Sequence, residues 1–167
     1  SENIAGILNQ ITAVFTRRQV NIESLNVSAS SIEGLHNYTI TAWSDEDQIT
    51  KITKQIEKKI DVVKAQYYRD DELYIRETGL YKLSTPEVMA NPEISRTVRR
   101  NDAFITEVNP IYVIVMKSGR TEEIMALYDK LNAFGCILQY TRSGRIAVTR
   151  STEEEVSRYL EEREKRA

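Results

Sequence analysis

The feature that most narrows the folds open to this chain is a change of hydrophobic period, from helical to alternating and back, that occurs twice. Ile4, Ile7, Leu8, Ile11, Val14 and Phe15 recur at helical spacing with polar residues between them. Asn3 is the expected cap of that helix, and Arg17 and Arg18 suit the negative end of its dipole. Over 21–30 the period drops to two: Ile22, Ser24, Asn26 and Ser28 alternate with Glu23, Leu25, Val27 and Ala29, which reads as a strand with a polar exposed face. "SSIEG" makes a turn, and 35–43 gives a second strand rich in Tyr, Thr and Ile. Ser44 is the expected cap of a helix carrying Ile49, Ile52, Ile56 and Ile60, and a short strand over 62–68 closes the unit.

The second half repeats the plan. A strand is expected over 72–83, and Asn91-Pro92-Glu93 starts a helix, because proline in the first turn forfeits no hydrogen bond. That helix ends near Asn101, and strands over 103–109 and 111–117 flank a tight Asn109-Pro110 turn. Thr121 is the expected cap of a helix with Ile124, Leu127, Leu131 and Phe134 on one face, stopped by Gly135. Segments 137–142 and 146–150 are expected to pair as a hairpin across Ser143-Gly144.

Each half therefore reads α-β-β-α-β, and the second has a strand in front. A βαββαβ unit makes an antiparallel sheet with both helices on one face. The expected fold is α+β, with two ferredoxin-like units divided as 1–70 and 71–167. The first half opens directly on its helix and lacks its first strand, so that strand is expected upstream of residue 1. Sheet edges and the faces without helices are expected oligomer contacts. The tail, "STEEEVSRYLEEREKRA", starts with a capping-box pattern of Thr152 and Glu155 and reads as a solvated helix with Val156, Tyr159 and Leu160 on its apolar side.

Composition excludes more than it suggests. Of the 167 residues, 41% are hydrophobic and 29% charged, an ordinary globular balance, and the net charge of −2 gives no reason to expect nucleic acid. Arg96, Arg99 and Arg100 form the one notable basic cluster and read as a solvated helix face. Cys136 is the only cysteine and reads as a small buried hydrophobe, and His36, the only histidine, has no ligand partners nearby in sequence. No stretch is apolar enough to span a membrane, "SENIAG" is no signal peptide, and the expected location is the cytoplasm. "KSGRTEE" lacks phosphate-loop spacing, and no metal-ligand set stands out.

One place does carry chemical meaning. The first turn of a helix presents unbonded N–H groups backed by the helix dipole, a site for a carboxylate. Gly6 offers no side chain to obstruct an approach to those amides, and the Asn21 carbonyl oxygen can accept from an ammonium group. Ile4, Ile7, Leu8 and Ile22 would supply aliphatic walls. Carboxylate, ammonium and branched apolar side chain together describe a small aliphatic amino acid.

At these residues the chain resembles a known family. "ENIAGILNQITAVFTRRQVNIESLNV" is similar to the opening of the small, regulatory subunit of acetolactate synthase (acetohydroxyacid synthase), whose usual pattern is E-N-x-x-G-x-L-x-R-[VI]-x-x-L-F-x-R-R-G-[YF]-N-I-E-S-L. The likeness continues through "ITKQIEKKIDVVK", "RETGLYKL" and "YTRSGRIAVTR" and covers nearly the whole chain. The resemblance implies an ACT domain followed by a second ferredoxin-like domain, and a subunit without catalysis of its own. It implies homodimers through the ACT domains and a catalytic large subunit as partner, to which thiamine diphosphate, Mg and FAD would belong. It also implies feedback inhibition by valine or another branched-chain amino acid held between two ACT domains. The matching site residues are Asn3, Gly6, Ile7 and Leu8 at the helix start, with Asn21 and Ile22 from the neighbouring chain. Where the family has glycine and then an aromatic before Asn21, this chain has Gln19 and Val20. Two other readings stand beside this one: an ACT-type amino-acid sensor acting on a different partner, such as a transcription regulator, and a small enzyme using Asp70, Asp71 or Glu72.

Overall fold

The computed structural model describes residues 1–152 and, beyond them, Arg158, Leu160, Glu161 and Lys165. The expected helix built on Val156 and Tyr159 lies outside the described residues. The chain forms two compact units, one comprising Ser1–Tyr74 with the residues from Ala147 on, the other Ile75–Ile146.

The first unit contains α1 (Ile7–Arg17), β1 (Ile22–Ala29), β2 (His36–Ala42) and α2 (Glu46–Glu57). Ile7, Ile11, Val14 and Phe15 of α1 and Ile52 and Ile56 of α2 are buried together with Val20 and Val62, and Tyr38, Ile40 and Ala42 of β2 pack against them. The two helices thus share one face of the β1–β2 pair, which runs antiparallel from Ile22 opposite Ala42 to Ala29 opposite His36. Asp45, not Ser44, caps α2, accepting from the Gln48 N–H at 2.7 Å. Its carboxylate reaches the first-turn amides, whereas the Ser44 hydroxyl turns to the Gln48 side chain. α2 ends at Glu57, so Ile60 lies beyond it, exposed.

α1 stops by a device that predicts a measurable strain. The Val20 N–H returns to the Phe15 carbonyl and the Gln19 N–H to that of Thr16, the two bonds of a Schellman motif, and Gln19 sits at φ 56. That is a left-handed conformation which costs a residue with a Cβ about 1–2 kcal/mol. Gln19→Gly is therefore expected to stabilise the chain by about 0.5–1 kcal/mol after glycine's extra unfolded-state entropy is deducted. Chemical denaturation of the two proteins measures it, and a destabilised glycine variant would contradict the assignment. The second unit ends its corresponding helix the same way, with Ala103 bonded back to Val98 and Asp102 at φ 51.

Residues 62–68, expected as a strand, form none. In a βαββαβ sheet the last strand pairs only with the first. Here residues 1–3 occupy the end of that central position: Asn3 donates to Gly34 at 3.0 Å, Glu2 bridges Leu35, and on the other side Glu2 donates to Asp61 at 2.9 Å. Among the described residues no ladder partner continues beside 62–68, although Val62 and Val63 remain buried.

After a 3-10 turn at Asp70–Glu72 come β3 (Leu73–Ser84), α3 (Thr85–Ala90), α4 (Pro92–Arg100), β4 (Phe104–Val108), β5 (Tyr112–Gly119), α5 (Thr121–Ala133), β6 (Ile137–Arg142) and β7 (Ile146–Thr149). The second unit's sheet has the order β4-β5-β3-β6 with every neighbouring pair antiparallel, the ferredoxin-like arrangement. α3 was not expected. Asn91 caps α4 through the Glu93 N–H, as its sequence implies. Thr121 is the first residue of α5 and not its cap: the capping bond runs from the Arg120 N–H to the Glu123 carboxylate at 2.7 Å, which holds that carboxyl below its ordinary pKa. The expected 137–142/146–150 hairpin is also corrected, because both β6 and β7 pair with β3.

Tyr81, Leu83, Val113 and Val115 from the sheet, Ile94 and Val98 from α4, and Ile124, Leu127 and Leu131 from α5 make the second core. Cys136 is buried within it, where desolvation raises its thiol pKa, so it acts as a small hydrophobe. The Tyr81 hydroxyl donates to the Ile124 carbonyl at 2.7 Å. The buried Glu77 carboxylate accepts from Arg142 at 3.1 Å. The opposite sheet face carries Leu80, Met116 and Phe104 in register, with Leu80 41% and Phe104 65% exposed.

Candidate functional site

The start of α1 is built as the sequence suggests, with one change of role. Gly6, not Asn3, is the N-cap residue, at φ 89 and with no side-chain capping bond. Asn3 is engaged through its backbone with Gly34, which fixes the approach to the helix beside the β1–β2 turn. A Cβ at Gly6 would meet nothing within 4 Å, so glycine is required there by backbone conformation, and the surface above it is open. The Gln10 N–H is the first to reach back into the helix, to the Gly6 carbonyl at 3.1 Å. Ile7 spends its N–H on the Ile4 carbonyl at 3.3 Å. The amides of Leu8 and Asn9 belong to the first turn of α1, where the helix itself supplies no carbonyl partner.

The side chains divide. Ile7 is buried in the core and provides no pocket wall, whereas Ile4 and Leu8 are exposed at the helix start. Asn21 is exposed, and Ile22 is half-buried against the first unit's core. The corner that carries them is held by Gln48, whose side chain donates to the Arg18 carbonyl at 2.9 Å, and by Arg18, which donates to Gln55 at 3.1 Å. Asn3, Gly6, Ile7 and Leu8 stand at one end of α1 and Asn21 and Ile22 just past the other. An eleven-residue helix separates them by roughly 16 Å. One chain does not bring the two groups together.

The acidic residues considered for catalysis sit differently. Asp71 and Glu72 line a polar cleft of about 420 Å³ with Glu46, Tyr67 and Arg69. Arg69 bridges Glu46 at 2.7 Å, a bond that raises the already high guanidinium pKa, and the Glu72 carboxylate accepts from the Arg69 N–H at 2.6 Å. Of the carboxylates here, Glu46 serves the salt bridge and Glu72 the turn. Among the described residues no group of three or more His, Cys, Asp and Glu side chains is placed to hold a metal ion, and no helix is long and apolar enough to cross a membrane.

Comparison with known proteins decides what kind of chain this is. Residues 1–64 match the model of the AHAS small subunit-like ACT domain, and residues 76–151 match that of the small subunit of acetolactate synthase. The chain belongs to the acetolactate synthase small-subunit family. The acetolactate synthase small subunit of Bacillus subtilis is 31% identical over 157 residues, covering 93% of this chain and 90% of that one. A probable acetolactate synthase small subunit of Methanothermobacter thermautotrophicus is 32% identical over 151 residues, covering 90% and 89%. The crystal structure of the acetolactate synthase small subunit from Thermotoga maritima superposes with a TM-score of 0.80 at 26% identity, covering 91% of this chain and 94% of that one. As an acetolactate synthase small subunit, the chain carries its ACT domain first and a second ferredoxin-like domain after it.

Proposed function

We propose that this small subunit activates an acetolactate synthase catalytic subunit, which performs the thiamine diphosphate chemistry, and makes it sensitive to valine or another branched-chain amino acid. The observation that supports this reading is the topology of the first unit. Among the described residues β1 pairs only with β2, so its outer edge along 25–29 is open to another strand. Two copies related by a two-fold axis would join these edges antiparallel, the start of one β1 against the end of the other. The end of β1 is where α1 begins, since Asn3 is bonded to Gly34 in the following turn. The pairing therefore carries Asn21 and Ile22 of one copy to Gly6 and Leu8 of the other. First-turn amides then hold a carboxylate, the Asn21 carbonyl holds the ammonium group, and Ile4, Leu8 and Ile22 face the aliphatic side chain.

A ligand at that seam favours one arrangement of the two ACT domains and biases the catalytic subunit by its difference in affinity for the arrangements, typically about 1–3 kcal/mol. The test is to assay acetolactate formation by a catalytic subunit with and without this chain, in the presence and absence of valine, leucine and isoleucine. Activation that one of the three reverses supports the reading. Binding of an amino acid with no effect on acetolactate formation would favour the sensor for a different partner.

A further inference from the structure

We infer that Trp43 is a further binding residue of this seam, its indole closing over the bond between Asn21 and the ammonium group of the bound amino acid. The inference rests on the seam proposed above and adds a residue to it. Ile22 is the partner of Ala42 across the β1–β2 pair, and both pack against the first unit's core. Asn21 directly precedes Ile22 and Trp43 directly follows Ala42, so each stands one residue beyond this last pair of the ladder. Both are exposed, Trp43 at 83%.

An indole left almost wholly in water contributes little to folding, and this is the chain's single tryptophan. The bond it stands beside needs protection. A hydrogen bond from an ammonium group to an amide carbonyl is worth little where water competes for both groups, and much more where water is excluded. Tryptophan is among the residue types most enriched where a few side chains carry most of a binding energy. The indole face also attracts an ammonium group within about 6 Å of the ring centroid.

The experiment is calorimetric titration of the full chain with L-valine, comparing the parent, Trp43→Ala and Trp43→Phe, together with the parent's tryptophan emission during the titration. Trp43→Ala is expected to weaken binding by about tenfold or more while melting at the parent's temperature, and Trp43→Phe to recover most of the loss. The parent's emission is expected to shift with the same dissociation constant as the calorimetry. Should Trp43→Ala melt lower, the emission of the parent decides. Valine binding by the parent with an unmoved emission and parent-like affinity in Trp43→Ala would overturn the role of Trp43 and leave the seam standing. A parent chain that binds none of valine, leucine and isoleucine would overturn the seam itself, and Trp43 with it.

Discussion

Arg142→Ala is expected to lose about 3 kcal/mol of stability, because it leaves a buried carboxylate without its counter-charge. Glu77 is 3% exposed, and Arg142 is its ion-pair partner at 3.1 Å. The pair lies where "RETGLYKL" meets "YTRSGRIAVTR": Gly79 faces Arg142 across the β3–β6 ladder, and the Thr78 N–H donates to the Ser143 hydroxyl at 2.9 Å. The cost of removing one partner comes from the charge left behind, not from the strength of the lost contact. Replacing Glu77 by Gln in the same chain is therefore expected to recover much of the loss, a coupling that a double-mutant cycle in chemical denaturation reads directly. A loss below about 1 kcal/mol, as for a surface pair, would show that water reaches the Glu77 carboxylate and that the pair is not structural.

Asn21→Ala is expected to lose most of the valine response while leaving activation of the catalytic subunit intact. Deleting a hydrogen bond to a charged group costs roughly 1.5–3 kcal/mol, so valine affinity should fall about ten- to hundredfold. Asn21 is exposed, and its side chain lies outside the core that holds α1 and α2 together, so the fold should be unaffected. Inhibition curves against valine, measured with the same catalytic subunit, check both halves of the expectation. A variant as valine-sensitive as the parent would show that the pocket is elsewhere.

Much of the architecture is legible in the sequence because the change of period is strong. Ile7, Ile11, Val14 and Phe15, and later Ile124, Leu127 and Leu131, mark helix faces that the structure buries as expected. Caps are less legible: Ser44 gives way to Asp45 and Thr121 to Glu123, since each segment offers several acceptors within reach of the same first-turn amides. Residues 62–68 have strand composition but no ladder, because a strand is defined by its neighbour and not by its own residues. The supposed hairpin at Ser143-Gly144 fails for a related reason, since the local turn signal does not reveal that β3 is long enough to take both β6 and β7. α3 escaped notice because six residues starting Thr-Pro display less than two helical turns of pattern. At the candidate site, Gly6 was legible as standing at the start of α1. The position of Trp43 was not, because only the β1–β2 register shows that it follows Ala42, the residue opposite Ile22.

The most direct test of a seam shared by two copies is subunit mixing. Gly6→Asp keeps a residue that tolerates left-handed backbone and favours helix caps, but sets a carboxylate where the ligand's carboxylate would bind. Alone, both this variant and Asn21→Ala should bind valine at least about tenfold more weakly than the parent. In a mixed dimer one seam carries both changes and the other carries neither, so unfolding and refolding the two together in equal amounts should restore binding at about a quarter of the parent's sites, with the parent's affinity. If the mixture binds no more valine than the separate variants, although mixed dimers have formed, Gly6 and Asn21 do not meet across two copies and the account fails.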